Sequence, residues 1–472
     1  RIGRIGRIAD EIAGSVQDAA QGVTALFSDP VIRLGVTGLA RAGKTVFITS
    51  LVANLMDRGR MPGLQAAASG AIRAAWLQPQ PDDTVPRFAY ERHLAAMTGS
   101  PPRWPESTRA VSQLRLSLRL QPSWLRGAVS GPRRLHLDIV DYPGEWLLDL
   151  GLMERDYAAW SAEVLEVAAG RAEAAGFRAA LAETDPGAPL QEQAAERLAA
   201  AYTDYLRRAR EAGYSDCTPG RFLMPGELEG SPALTFAPLP PGEAPRGSLA
   251  REMARRFEAY KSGIVRPFFR DHFARIDRQV VLVDLLDAIH AGPPALGDLA
   301  AGLDRTLRAF RPGRASWLSQ LLGGHRVERL LFAATKADHL HHVQHGALTA
   351  ILEAMLRQAK DRAAFAGAET EAMAIAALRA TVEEEREHGG RTLPMVRGTL
   401  MDGRQAALYP GRLPEDPARL LDAAASGAES WLDGDYAAMR FRPPGTPPRP
   451  GEGPPHIRLD RAAQFLLGDR LR

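Results

Sequence analysis

The stretch Val31-Ile32-Arg33-Leu34-Gly35-Val36-Thr37-Gly38-Leu39-Ala40-Arg41-Ala42-Gly43-Lys44-Thr45 decides the fold. Its opening residues read as a buried strand, and from Lys44 an apolar helical pattern runs to about Met56, so a glycine-containing loop joins a strand to a helix. The loop matches G-x-x-x-x-G-K-[ST], a pattern that cradles phosphate. Glycines permit the turns, and the backbone over Gly38, Ala40, Arg41, Ala42, Gly43, Lys44, Thr45 and Val46 supplies N–H groups that converge on a nucleotide's phosphates at the helix N-terminus. Lys44 would reach the β and γ oxygens, and the Thr45 hydroxyl would ligate Mg²⁺. This unit predicts an α/β fold with a mostly parallel sheet.

Lysine usage supports a chemical reading of that loop. Lysine occurs at four positions, Lys44, Lys261, Lys336 and Lys360, in a chain with 59 Lys and Arg residues. Two of the four lie in nucleotide-binding patterns, where a slim stem ending in a point charge fits and the broad fork of arginine does not. The second of these patterns is Thr335-Lys336-Ala337-Asp338, which follows the apolar run ERLLFAA. Guanine presents N1–H and N2–H₂ side by side, two donors that one carboxylate can accept, whereas adenine offers an acceptor at N1. Asp338 therefore selects guanine, Lys336 would lie along the base, and Thr335 would tie this loop to the phosphate loop.

Between these two patterns, His136-Leu137-Asp138-Ile139-Val140-Asp141-Tyr142-Pro143-Gly144-Glu145 ends an apolar strand in D-x-x-G. Asp141 would hold a water on Mg²⁺, and the Gly144 N–H would face the γ-phosphate. Asp138 lies three residues earlier on the opposite strand face and is assigned no metal role. Two weaker pieces complete the set. Ala376-Ala377-Leu378, the end of the run AMAIAAL just before Arg379, occupies the place of a loop whose backbone N–H meets guanine O6, and Thr108 in WPESTR offers a hydroxyl that reaches Mg²⁺ when the γ-phosphate is bound. His339, His341, His342 and His345 invite a metal reading, but their offsets give no clean helical ligand face and no cysteine is near, so a solvated turn is expected. Glu383 to Glu387 is expected to be a solvated face as well.

At 472 residues the chain is too long for one core. Hydrophobic residues at 45% and charged residues at 24% describe a folded globular protein, and 59 basic against 56 acidic side chains make no concentrated basic field, so nucleic acid is not an expected partner. The lone Cys217 excludes an internal disulfide, and no apolar run is long enough for a transmembrane segment. Residues 1–28 carry an apolar stripe beside Arg1, Arg4 and Arg7 and predict an amphipathic helix, packed on the domain or lying on a membrane or partner surface. The expected organisation is that helix, a nucleotide-binding domain in two parts over 29–150 and 276–400, an inserted all-helical domain over 151–275, and a loop-rich extension with a C-terminal helix over 401–472. Strands are expected at 111–120 and 134–141 as a hairpin, and at 280–288, 328–335 and 372–378.

The stretches GLARAGKT, WPEST, DYPGEW and ATKADH, with FLMPGELEGSPALTFAPL and the terminal HIRLDRAAQFLLGD, resemble the YcjX family of bacterial stress-associated P-loop GTPases over nearly the whole chain. The resemblance implies a Ras-like α/β domain with a helical insertion, GTP or GDP and Mg²⁺ as ligands, and a cytoplasmic protein, peripheral at the inner membrane where it works with a partner there. Glu145 stands where many GTPases place a water-orienting glutamine, and Arg41 or Arg109 would serve as an arginine finger in cis. Slow intrinsic GTP hydrolysis driving a switch in an envelope or heat stress response is one expectation. A scaffold gated by nucleotide, with negligible hydrolysis, is another, and an ATPase, for which ATP would compete well for the site, is a third.

Overall fold

The computed structural model describes residues 29–39, 42–106, 110–121, 133–212, 214, 217–310, 326–363, 367–432, 434–445, 447 and 449–472. The N-terminal helix expected over 1–28, together with Ala40, Arg41, Thr108 and Arg109, lies outside the described residues.

Strands β1 (Val31–Leu39), β2 (Ile72–Gln78), β3 (Ser112–Leu120), β4 (Arg133–Asp141), β5 (Arg278–Val283), β6 (Arg329–Ala334) and β7 (Glu369–Ala374) form one sheet in the order β2-β3-β4-β1-β5-β6-β7. β1 pairs in parallel with β4 and β5, and β6 pairs in parallel with β5 and β7. β3 is antiparallel to both β2 and β4, so it alone runs against the rest. This is the Ras-like α/β architecture, with β2 and β3 extending its edge.

The period-2 alternation of side chains distributes the strands' residues over two cores. Ile32, Leu34 and Val36 of β1, with Val280, Leu282, Leu331 and Ala333, face helix α1 (Lys44–Met56) and the C-terminal residues Leu459, Ala462, Ala463 and Leu466. Val281, Val283, Leu330, Phe332 and Ala334 face the other way, into a core shared with the helices of the insertion.

Along the chain, α2 (Tyr90–Thr98) precedes β3, and α3 (Gly144–Leu148) follows β4. The insertion then contributes α4 (Tyr157–Ala169), α5 (Ala175–Ala182), α6 (Glu192–Glu211), α7 (Leu249–Tyr260), a π-helical turn over Lys261–Val265 and α8 (Arg266–Asp271). Asp156 and Ser248 cap α4 and α7 by accepting from the N–H groups of Ala159 and Arg251. At its centre Trp160 stacks on Phe257 with ring centroids 4.9 Å apart and meets Phe236 and Tyr202 edge-on. Burial of such a ring is worth about 3 kcal/mol.

Beyond β5 come α9 (Leu285–Ala291), α10 (Pro293–Ala309), α11 (His345–Ala363), α12 (Ala418–Ala425) and α13 (Leu459–Leu467). The strand expected at 280–288 stops at Val283, because the Asp284 carboxylate accepts the Asp287 N–H at 3.2 Å and starts α9 there. A second sheet holds β8 (Thr381–His388), β9 (Arg391–Thr399) and β10 (Gln405–Leu408), all antiparallel. Its first hairpin closes at Gly389-Gly390, both at positive φ (57° and 75°), the backbone a two-residue turn of matching twist requires. No helix among the described residues is long and apolar enough to cross a membrane.

Candidate functional site

Four parallel strands deliver the loops that matter to one edge of the sheet. Leu39 is level with Val283, Val283 with Ala334, and Ala334 with Ala374. The phosphate loop, the Thr335–Asp338 loop and the Ala376–Leu378 loop therefore leave the sheet from one row, at the carboxyl ends of β1, β6 and β7, where open α/β sheets bind ligands. Asp141 ends β4 beside Val36 of β1 in the same arrangement.

The described end of the glycine-containing loop shows why a glycine stands before Lys44. Gly43 sits at φ 79° and ψ 30°, left-handed backbone that glycine adopts without penalty, and its carbonyl accepts the Phe47 N–H as α1 begins. Lys44 Nζ forms an ion pair with Asp141 Oδ1, and Ser112 Oγ donates to Asp141 Oδ2 at 3.3 Å. The Asp141 side chain is only 1% exposed, so Lys44 and Ser112 are the groups that meet its two oxygens in place of water. Thr45 is buried in the first turn of α1 and Val46 is half-buried. Gly144 packs so closely on Gly38 that a Cβ at Gly144 would run into the Gly38 carbonyl oxygen. Beside that contact the buried Thr37 Oγ1 has no hydrogen-bond partner among the described residues.

This set suits the ligands expected for it. Thr45 and Asp141 offer oxygen donors, the hard ligands Mg²⁺ takes, and the Lys44 ammonium and the unpartnered Thr37 hydroxyl lie where a phosphate loop begins and ends.

The base loop is held from several sides. Thr335 donates its N–H to Val283 O at 3.0 Å, and Lys336 takes left-handed backbone at φ 61°. Lys336 Nζ pairs with Asp284 and lies 3.9 Å from Asp287. Burial opposes the ammonium, but the two carboxylates outweigh it and hold Lys336 above the ordinary lysine value. The Ala337 N–H donates to Ile375 O at 3.0 Å. The buried Asp338 carboxylate accepts the Ala380 N–H at 2.8 Å, and its backbone carbonyl accepts from Thr381 Oγ1. Ala376 exchanges two backbone hydrogen bonds with Ile457, at 3.0 and 2.8 Å, and Ala377 and Leu378 follow it in the buried interior.

Glu145 is placed differently from a side chain reaching toward phosphate. Its carboxylate is 3.0 Å from Arg210 Nη2 on α6. The segment after Gly144 is gripped at further points: the Gly220 N–H donates to Asp149 Oδ1 at 2.8 Å, Tyr260 OH donates to Asp149 Oδ2, and the Arg221 guanidinium lies 3.1 Å from the Trp146 ring centroid. Burial pushes the Asp149 carboxyl up to about 7. Asp138 pairs with Arg115 across the β3–β4 ladder through bonds of 2.6 and 2.7 Å.

Sequence reasoning missed Asp284, Ser112, Arg210, Asp149 and the segment over 455–458 that laces the Thr335–Asp338 and Ala376–Leu378 loops. Asp284 carried a usable signal, an aspartate directly after the apolar run VVLV. The lacing segment carried none, since its partners are far away in the chain. Arg458 Nη1 donates to Ala374 O at 2.8 Å, its Nη2 lies 3.0 Å from His345 Nδ1, and the Arg379 N–H donates to Pro455 O at 2.8 Å.

Comparison with known proteins agrees with this geometry. The family model described as "YcjX-like family, DUF463" matches residues 32–471. A protein of Escherichia coli (strain K12) named "Ras-like GTPase YcjX" is 38% identical over 462 residues, covering 94% of this chain and 97% of that protein. Its namesake from Shewanella oneidensis is 35% identical over 476 residues, covering 94% and 95%. The family model's match over residues 32–471 and the two relatives' similarity over 94% of the chain place the chain in the YcjX-like family.

Proposed function

We propose that this chain binds GTP and GDP with Mg²⁺ and hydrolyses GTP slowly, working as a conformational switch. The observation that carries the reading is the common level of the loops: Gly43-Lys44 and Lys336-Asp338 leave parallel strands whose ends are aligned in register. The names borne by the relatives support it.

Each residue's part follows from its surroundings. Lys44, now on Asp141, would transfer to phosphate oxygens, which frees the carboxylate for the metal shell. Thr45 and Asp141 would hold Mg²⁺ on the nucleotide side, with Thr108 joining in the triphosphate state. Bound Mg²⁺ would supply charge neutralisation on the β- and γ-phosphates. Asp338 would accept the guanine N1–H and N2–H₂ donors, with Lys336 alongside the ring and the Ala376–Leu378 backbone facing O6. Gly144, already against Gly38, is the N–H that reports the γ-phosphate. Glu145, Arg41 and Arg109 are the side chains proposed to position water and stabilise charge.

A second reading, a nucleotide-gated scaffold with negligible turnover, is favoured by one contact: the Glu145 carboxylate is committed to Arg210. Single-turnover hydrolysis of radiolabelled GTP separates the two. A rate above that of a Lys44→Ala control supports the GTPase, and equal rates with GTP-dependent partner capture support the scaffold. Calorimetry showing no heat with GDP or GTP would remove both. A role in stress response at the inner membrane, through a partner protein there, is the cellular setting proposed with this reading.

A further inference from the structure

Outside the nucleotide loops, the structure brings together His341, His342 and Glu383, with one ligand atom from each within 4.8 Å of the others. The two histidines open the short helical turn that follows the base loop, and Glu383 projects from β8. The turn expected to be solvated instead buries His341 and His345, leaves His342 exposed, and gains a third polar partner from a distant strand. We infer that His341 Nε2, His342 Nδ1 and Glu383 Oε2 form a binding site for a divalent transition-metal ion of the zinc type.

The donor set is the first reason. Two imidazoles and a carboxylate are a known protein complement for Zn²⁺, with water in the fourth position. The second reason is how the carboxylate is held. Glu383 Oε1 accepts the His342 N–H at 2.9 Å and lies 4.0 Å from Arg379 Nη2, which leaves Oε2 turned toward the rings, 2.7 Å from His342 Nδ1 and 3.8 Å from His341 Nε2. Outer contacts that fix a ligand's orientation are a recurrent property of metal sites.

Protons balance on loading. To ligate through Nδ1 as a neutral imidazole, His342 gives up the Nδ1–H now shared with Glu383 and carries its one proton on Nε2, an exchange through solvent that its largely exposed ring permits. His341 must carry its proton on Nδ1 so that Nε2 is free to ligate. That gives up a long 3.4 Å contact from the Val343 N–H, and Val343 is exposed, so water can take its place. Zinc ligands in a tetrahedron stand roughly 3.4 Å apart, so as the exposed His342 turns its Nδ1 moves out from the 2.7 Å contact with Glu383 Oε2, while His341 Nε2 closes in from 3.8 Å. Arg379 opposes a cation there, but it sits on the oxygen that does not ligate.

The ion would fasten the base loop. Asp338 is already bound to the Ala380 N–H and the Thr381 hydroxyl, and a metal joining His341 and His342 to Glu383 adds a second bridge a few residues further along the same two segments. Metal and nucleotide then raise each other's affinity, as linkage requires. This coupling rests on the guanine reading of Asp338, whereas metal binding itself does not.

The test uses the full chain, stripped with chelator and free of nucleotide, titrated with Zn²⁺ by calorimetry and with Co²⁺ for the visible bands of a four-coordinate ion. One bound equivalent is expected, weakened at least about 10-fold by His342→Ala and by Glu383→Gln and unchanged by Asp141→Asn. Both altered side chains are at least partly solvent-exposed, so these variants should fold, with thermal melting as the check. No retained metal in the wild type, or affinity unchanged in both variants, overturns the site. GDP titrations with and without Zn²⁺ then test the coupling: tighter GDP with zinc supports it, and identical affinities overturn the coupling while the ion site stands. Failure of GDP to bind under either condition overturns the nucleotide reading and not the metal site.

Discussion

Glu145 Oε1 and Arg210 Nη2 lie 3.0 Å apart, an ion pair that joins the residue after Gly144 to helix α6 of the insertion. Both side chains are largely shielded, so removing either partner leaves the other charge without its mate in a poorly hydrated place. Arg210→Ala is expected to destabilise the chain by about 2 to 3 kcal/mol, with Glu145→Ala costing a similar amount. Because the two losses share one contact, the double variant should cost less than their sum, and a denaturant-unfolding cycle measures the difference. Strict additivity would show that the pair does not hold the segment to the insertion.

Asp149 is the pH-sensitive part of the same grip. It is fully enclosed, with its pKa raised from the usual carboxylate value to about 7 by burial, against the opposing hydrogen bonds of Tyr260 and Gly220. The folded chain therefore holds this proton over a range in which the unfolded chain has lost it. Stability from this group is full below about pH 4, declines as pH rises through the window, and is lost above about pH 7, a difference on the order of 4 kcal/mol. Asp149→Asn keeps the shape without the titration. The wild type should lose melting temperature between pH 5 and 8 relative to Asp149→Asn, and parallel curves for the two would show that Asp149 is ionised throughout.

Asp338 supports a prediction about base choice. A carboxylate accepts two donors from guanine, while an amide at that position presents one donor and one acceptor, which mismatches guanine and matches xanthine's added carbonyl. Asp338→Asn should lower GDP affinity by about 100-fold or more and raise that for xanthosine diphosphate, read by competition with a fluorescent nucleotide. The variant also keeps a polar oxygen for the Ala380 N–H, so a folded chain is expected. Unchanged preference for GDP would detach Asp338 from the base.

What could be read in advance follows from how local each constraint is. Gly43, Lys44 and the strand before them were legible because phosphate binding and left-handed backbone restrict residue types within a few positions. The same holds for Lys336 and Asp338. β2 was not legible: IRAAWLQ is an edge strand with partly exposed side chains on both faces, so it lacks a clean alternation. β8 hid for a similar reason, since TVEEEREH is charged on both faces and only the Gly389-Gly390 turn marks its hairpin. Asp284 was absorbed into an overlong strand because LLDA continues the apolar run, although its carboxylate ends the strand by capping α9. The Ile457–Ala376 bridge and the Arg210–Glu145 pair depend on residues far apart in the chain, which no local pattern encodes.

Gly144 and Gly151 make a matched pair of substitutions that tests how tightly the segment after Asp141 seats on the end of β1. Neither residue has left-handed backbone, so alanine meets no conformational penalty and any cost comes from contact alone. At Gly144 a Cβ would collide with the Gly38 carbonyl and crowd Thr37 Oγ1, and that carbonyl belongs to backbone that cannot rotate away. At Gly151 a Cβ meets open space. Gly144→Ala should cost about 1 to 3 kcal/mol, as overpacking does, while Gly151→Ala stays within about 0.5 kcal/mol of the wild type. If Gly144 also senses the γ-phosphate, the Gly144→Ala chain should bind GDP near normally and lose the protection from proteolysis that a non-hydrolysable GTP analogue confers on the wild type. Equal protection in both chains would separate the close packing of Gly144 from nucleotide sensing, and leave the contact with Gly38 as a purely structural one.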